Sequence, residues 1–543
     1  MNSAIVLDVQ VLSTERVFPD IRLSTRRDIR LSIIDDAVGN FSSTAALWMF
    51  DSWTLSPHHL KTSLEKTLTA YPQWAGQIYL LPHDSHPNGR PRFGRTAVSY
   101  GDSSDPGVEL IVATCDCPIA SLIPSTAERA TSFKALDLTS FQPHKLLPST
   151  QMALYDMKDH AGFPGVAIQL TTFSSGGVVL ALKIRHLLAD AQSMMTFVQD
   201  WAATSRALLT GELLPVLNPL FDPSLLDRAA LGDIDASEPD RELVEKARGL
   251  PLRRYDWWIS QEGCPPPMFP STQPPPELGE SFIIEPVGDA MPWDEWNIAE
   301  PVSHYLIHFS KNEVDELWKA ASFSPTLGAP SVRVSKMEAL LAYMWALINR
   351  ARGLEEDDQL VHLDLTFGLR PRVSPPLPDA FLGSPIMLAL ISATGKEASA
   401  SAMNTDANPL SSLFHIASRI RSVLSQFDAD AIGACLHDTA HTISPQRLWQ
   451  AFLGRRNVLF TSWAHMDVYG VDFGMGARPR YVEPIMPSCD GLLQIMEAGS
   501  TKSIGEKRGH WCEEGVDVCV YLERGAMDNL LRLRESWIPR LEG

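Results

Sequence analysis

The chain has 543 residues, 45% of them hydrophobic, and a formal net charge of -19 at pH 7. That length exceeds what one hydrophobic core holds, so two large folded domains are expected. The acidic balance argues against nucleic acid or an anionic membrane surface as the main partner, and the longest apolar stretch, Ala339 to Ile348, is only about half a bilayer span.

Seven cysteines (115, 117, 264, 435, 489, 512 and 519) are an odd number spread over a long chain, which reads as free thiols in a reducing compartment. Met1 to Val11 carries Asp8 and lacks a basic leader followed by an apolar core, so no secretory signal is expected and the protein reads as cytoplasmic.

In chain order, residues 29 to 35 precede a strand-like segment at Ala45 to Phe50. Leu60, Leu64, Thr67, Leu68 and Tyr71 then recur at helical spacing until Pro72 stops the pattern. Val166 to Phe173 and Val178 to Ile184 flank the turn residues Ser174-Ser175-Gly176-Gly177, which predicts a hairpin. The second of these runs is almost continuously apolar, the pattern of a central strand buried on both faces. Met194, Met195, Phe197, Val198 and Trp201 form one helical stripe directly afterwards.

Between Asp227 and Pro301 prolines cluster at 265–267 and 274–276 behind an acidic stretch, the composition of an interdomain crossover with a long exposed loop. A strand at Tyr305 to Phe309 opens the second half, with helices over 312–321 and 335–352, the latter carrying a capping-box pattern in Ser335 and Glu338. A loop rich in arginine and proline, Gly368 to Pro378, leads to a helix over 411–426 and a strand at Val458 to Thr461. The glycine loop Gly470 to Gly476 precedes closing strands at Gly491 to Met496 and Val516 to Leu522. Alternating strands and helices predict an α/β architecture with two sheets, each partly covered by helices.

His186 stands where the apolar strand meets a helix, in Arg185-His186-Leu187-Leu188-Ala189-Asp190. An imidazole there can take a proton from a bound hydroxyl or amine and return it to a leaving group. Asp190 has two readings: it orients the imidazole as in a triad, or it points away and locks the loop by pairing with an arginine elsewhere. An isolated His-x-x-x-Asp pattern is common by chance and is often a histidine merely hydrogen-bonded at a strand end.

Other arrangements carry less. Cys435, His437 and His441 share a predicted helix, but no third and fourth zinc ligands of suitable spacing follow, so no metal is expected. Cys115-Asp116-Cys117 has the wrong spacing for a thioredoxin-like site. No Gly-x-Ser-x-Gly elbow exists to support a serine esterase. Arg478 and Arg480, past the glycine loop, are candidates for holding phosphates, set against the alternative of a solvated face.

The ordered pair of His186-x-x-x-Asp190 and Asp472-Phe473-Gly474-Met475-Gly476, the latter preceded by Thr461-Ser462-Trp463, resembles the BAHD acyltransferases. Further matches are Leu31-Ser32 with Asp35, Tyr71-Pro72-Gln73-Trp74-Ala75-Gly76, and Arg370-Pro371-Arg372 before Pro375-Pro376-Leu377-Pro378. The resemblance covers nearly the whole chain and is nearest to the fungal natural-product branch that includes trichothecene acetyltransferases. Arg185, Ala191 and Met475 depart from the plant pattern, which often has histidine, glycine and tryptophan there.

The resemblance implies two chloramphenicol-acetyltransferase-like domains, 1–226 and 302–543, each a mixed sheet flanked by helices, joined by the crossover 227–301. It implies a monomer using acyl-coenzyme A as co-substrate, with no permanently bound cofactor, to acylate a hydroxyl, or secondarily an amine, of a hydrophobic small molecule. His186 would be the general base, with Asp190, Arg370, Asp472, Gly474 and Gly476 in structural support and Ser462, Trp463, Arg478 and Arg480 on the coenzyme A side. Two alternatives remain open: a condensation-like or lactonising transferase taking its acyl group from a carrier protein, and a non-catalytic binder of the same fold.

Overall fold

The computed structural model describes residues 7–83, 91–132, 134–154, 160–279, 283–322, 333–399, 413–500 and 509–537. Its frame is two mixed sheets packed face to face. The first has six strands in the spatial order Val9–Val17, Val108–Cys115, Val166–Phe173, Val178–Ile184, Thr44–Phe50 and Tyr481–Pro484. The second has seven, in the order Ile386–Thr394, Leu360–Gly368, Asn457–Ser462, Leu492–Glu497, Val516–Glu523, Val302–Phe309 and Ala135–Asp137. Each sheet therefore takes an edge strand from the opposite half of the sequence, which ties the halves together through backbone pairing.

The hairpin falls at Val166–Phe173 and Val178–Ile184, as the turn residues predict. Val178–Ile184 is buried on both faces because the two faces meet different layers. Val178, Leu180, Leu182 and Ile184 face the outer core with Phe197 and Trp201 of the helix Ala191–Thr210, while Val179 and Ala181 face the second sheet. Leu306, Leu492, Cys519 and Tyr521 answer from that sheet, so one shared core joins the two.

On the outside of the second sheet, the helix Lys336–Ala351 starts with the predicted capping box of Ser335 and Glu338. Every residue from Ala339 to Ile348 is buried, because helices Lys311–Ser322, Leu413–Leu424 and Arg524–Trp537 pack around it. This surrounding cover explains an all-round apolar helix without a membrane. Among the described residues no helix is long and apolar enough to cross a bilayer. The first two residues of the helix expected over 411–426 lie outside the described residues.

The crossover is largely exposed along the described residues of 261–300, as its composition suggests, and it also carries a small core. Its prolines shape short 3-10 turns at Phe269–Thr272 and Pro276–Leu278, and Trp257, Trp258, Met291, Trp293 and Trp296 bury against Phe452 in a small core of their own. Tyr255–Asp256 pairs with Leu448–Trp449, and a buried ion pair, Arg447 to Asp256 at 2.6 Å, fixes the join. Aromatic area outweighs proline content here.

Candidate active site

Arg185 and His186 follow the last residue of the central strand. The Arg185 guanidinium donates to the Gly39 and Leu154 carbonyls at 2.8 and 3.0 Å, which pins the chain as it leaves the sheet. Asp190 is the N-cap of the helix Ala191–Thr210 and accepts the Ser193 N–H at 2.8 Å. Its carboxylate is gripped in a fork by Arg370, Nη1 to Oδ2 at 2.6 Å and Nη2 to Oδ1 at 3.0 Å. Arg370 also donates to Ser193 Oγ and the Phe381 carbonyl, both at 2.9 Å. The guanidinium and the helix amide hold the Asp190 carboxyl below the usual range against the opposing effect of burial. Asp190 is thus occupied by Arg370 and Ser193, and the imidazole takes its orientation from a different group.

That group is Ser384. His186 Nδ1 lies 3.0 Å from Ser384 Oγ, and the same hydroxyl donates to the His186 carbonyl. With its one proton committed to the carbonyl, the Ser384 oxygen faces Nδ1 as an acceptor. The imidazole therefore carries its proton on Nδ1 and leaves Nε2 bare, a tautomer assigned from the hydrogen-bond pattern. Ser384 is itself held by Asp35, whose Oδ1 accepts the Ser384 N–H at 2.7 Å and whose Oδ2 accepts the Ser32 hydroxyl at 2.6 Å. Gly383 fits between them with φ +145°, and a Cβ there would meet Asp35 Oδ1 at 2.9 Å.

The His186 ring is half-buried and meets Phe41 edge-on, with centroids 5.4 Å apart; Phe41 in turn meets Trp449 at 5.1 Å. Burial lowers the His186 pKa to about 4, partly opposed by the Asp190 carboxylate. Near neutral pH the imidazole is uncharged, with Nε2 able to accept a proton.

The glycine loop docks at the other end of the same helix. Asp472 Oδ1 accepts the N–H groups of Gly474, Met475 and Gly476 at 2.9, 3.1 and 3.2 Å. Arg206 donates to the Asp472 carbonyl and Ser205 to the Phe473 carbonyl, so the last turns of Ala191–Thr210 carry the loop. Gly474 has φ +106°, where a side chain would be strained, and its Cα side faces the Arg206 backbone. Asp472→Ala releases three amides from one acceptor and is expected to lower stability by about 1–3 kcal/mol in chemical denaturation. Asp472→Asn, which keeps an acceptor oxygen, should lose less.

The remaining candidates are dispersed. Ser462 Oγ accepts the Ala464 N–H at 3.2 Å, and Trp463 is buried in the first sheet's outer core. Arg478 is half-buried. Arg480 pairs with the exposed Asp51 at 2.7 Å and donates to the Ile123 carbonyl at 2.8 Å. His437 Nε2 accepts the Asp240 N–H at 2.9 Å. All seven cysteines are free, with Cys115 and Cys117 sulfurs 3.4 Å apart. Ser384 had no motif to mark it, and Asp35 stood out only through the family match of Leu31-Ser32 with Asp35.

Two mixed sheets face to face, with a histidine at the end of a central strand, define a two-domain acyltransferase fold. Vinorine synthase has it, with TM-score 0.58 and 16% identity over 98% of each chain. TRI101 of F. graminearum, solved with coenzyme A and deoxynivalenol, has it with TM-score 0.61 and 17% identity over 94% of this chain and 98% of that one. The sequence model of the Transferase family matches residues 7–242 and 287–535, leaving part of the crossover between the matched stretches. The chain belongs to this family, that of the BAHD acyltransferases, and is an acyltransferase. A curated relative, Acyltransferase AFT15-1 of Alternaria alternata, is 26% identical over 95% of both chains.

Proposed function

We propose that the protein transfers an acyl group from an acyl-coenzyme A to a hydroxyl of a hydrophobic small molecule, directly and without an acyl-enzyme. The observation that carries this reading is the half-buried, uncharged His186, whose proton sits on Nδ1 against Ser384 and whose Nε2 is bare. Nε2 takes the proton of the acceptor hydroxyl as its oxygen attacks the thioester carbonyl. The tetrahedral oxyanion collapses, the C–S bond breaks, and the imidazolium returns the proton to the coenzyme A sulfur. His186 is the general base; Asp190 and Arg370 hold the helix and loop in place; Asp472, Gly474 and Gly476 shape the loop on the coenzyme A side, with Ser462, Trp463 and Arg478 beside it. Arg480, whose ion-pair partner Asp51 is exposed, is the fourth of that set. The solved relative TRI101, which carries coenzyme A and a mycotoxin, supports both the donor and the class of acceptor for this chain. Both motifs dock on one helix, so the reading needs a single chain, and a monomer suffices.

The base must be uncharged to work, so activity falls as pH drops through the His186 pKa. With that value near 4, kcat/KM should stay flat from about pH 8 to about pH 6 and fall only well below the range of an unperturbed histidine, about 6.5. A pH–rate profile with its acid limb near 6.5 would contradict the burial argument.

The donor is tested by following free thiol release from a panel of acyl-coenzyme A thioesters and from the same acyl groups on a carrier protein, with apolar alcohols and amines as acceptors. Release from the coenzyme A thioesters in the presence of an alcohol supports the reading. Release from the carrier alone makes the protein a condensation-like transferase, and acceptor binding without release from any thioester makes it a binder.

A further inference from the structure

The core shared by the two sheets contains a polar cluster that the acyl-transfer chemistry does not use. Glu483 lies on Tyr481–Pro484, the strand the first sheet takes from the second half, while His304 and Cys519 lie on paired strands of the second sheet. A His304 ring nitrogen, a Glu483 carboxylate oxygen and Cys519 Sγ all fall within 4.8 Å of one another, and His304 Nε2 to Glu483 Oε1 is 3.7 Å. The three residues are 6%, 0% and 1% exposed. Around them stand Leu47, Met49, Leu306 and Leu492, which offer no hydrogen bonds.

A second observation is independent of this grouping. Among the described residues, His304 Nε2 makes no hydrogen bond, and neither amide atom of Gln494 does. Gln494 is the register partner of Cys519 on the neighbouring strand. Tyr481 donates to Glu483, Tyr521 reaches Glu483 Oε1 at 3.5 Å, and the His304 ring stacks on Tyr521 at 4.0 Å. These contacts orient the donors while leaving His304 Nε2 and the Gln494 amide unsatisfied, where buried polar atoms are ordinarily paired.

We propose that His304, Glu483 and Cys519 form a binding site for one divalent cation of intermediate softness, zinc foremost, between the two sheets. One nitrogen, one oxygen and one sulfur donor suit zinc. Tetrahedral zinc with bonds of about 2.0–2.3 Å keeps its ligands roughly 3.3–3.8 Å apart, a spacing the His304–Glu483 pair already has. Charge also balances. A divalent ion held by the Glu483 carboxylate, the Cys519 thiolate and the neutral His304 imidazole has its two charges matched by its own ligands and adds no net ion to the apolar core. The Gln494 amide oxygen stands beside Cys519 for the remaining position. Such an ion would tie the strand that follows the Asp472 loop to the second sheet, against the sequence-based expectation of no metal.

The test uses the full chain, reduced and stripped with a chelator, then titrated with Co²⁺ without oxygen. One equivalent should bind with a thiolate-to-cobalt charge-transfer band, and Zn²⁺ should displace it and raise the melting temperature. Cys519→Ala should lose the band and the zinc-dependent shift, and His304→Gln and Glu483→Gln should bind at least tenfold more weakly. No cobalt uptake by the stripped protein, or an unchanged band in Cys519→Ala, overturns the proposal. If Cys519→Ala does not fold, His304→Gln and Glu483→Gln decide by the same titration: unchanged cobalt affinity in both overturns it. None of these readouts uses acyl transfer, so they stand or fall apart from the proposed reaction.

Discussion

His186→Ala should lower the rate of acyl transfer by about 10²–10⁴-fold, the usual worth of a positioned general base, while its melting curve stays with that of the parent. The fold survives because the groups around the ring are anchored through the backbone. Ser384 donates to the carbonyl of residue 186, which alanine keeps, and its N–H remains on Asp35. Ser384→Ala removes the acceptor facing Nδ1 and should give a smaller loss of kcat with little change in KM for either substrate. A His186→Ala protein that turns over normally would remove the base from the mechanism; one that no longer folds would make the histidine structural.

Arg370→Ala should have the largest effect on stability, a loss of about 3–5 kcal/mol in chemical denaturation, because it leaves the buried Asp190 carboxylate without its cation. It also removes donors to Ser193 and to the Phe381 carbonyl. Asp190→Asn strands the arginine instead and should also destabilise, and the Arg370→Ala/Asp190→Asn double variant should lose less than the sum of the two single changes. The pH dependence has a definite sign. Asp190 is held below its ordinary pKa, so the stabilisation is complete above the usual carboxylate range and is lost as pH falls below it. If Asp190→Asn melted with the parent while activity vanished, Asp190 would be part of the chemistry and not of the frame.

Local patterns that depend on neighbours in sequence were legible beforehand. The turn Ser174-Ser175-Gly176-Gly177 fixed the hairpin, Ser335 with Glu338 fixed a helix start, and the position of His186 between strand and helix followed from where apolar continuity gives way to a helical stripe. Features made by distant chain segments were not. Ser384 reaches His186 across 198 positions, and its neighbours Gly383 and Pro385 look like any loop. The edge strands Ala135–Asp137 and Tyr481–Pro484 are three and four residues long, too short to show a period, and each pairs with the far half. In the crossover the prolines announced an exposed loop, but not its small core, because its tryptophans find one another only after folding. The pairing of Arg480 with Asp51 spans 429 positions and leaves no mark in the local sequence.

Direct transfer from the coenzyme A thioester to the acceptor is decided by intact mass together with product analysis. The protein is mixed with an acyl-coenzyme A that supports thiol release, first alone and then with an accepting alcohol. The protein should keep its mass in both mixtures, with one ester formed per thiol released only when the alcohol is present. A protein that gains the mass of the acyl group before the alcohol is added would contradict it.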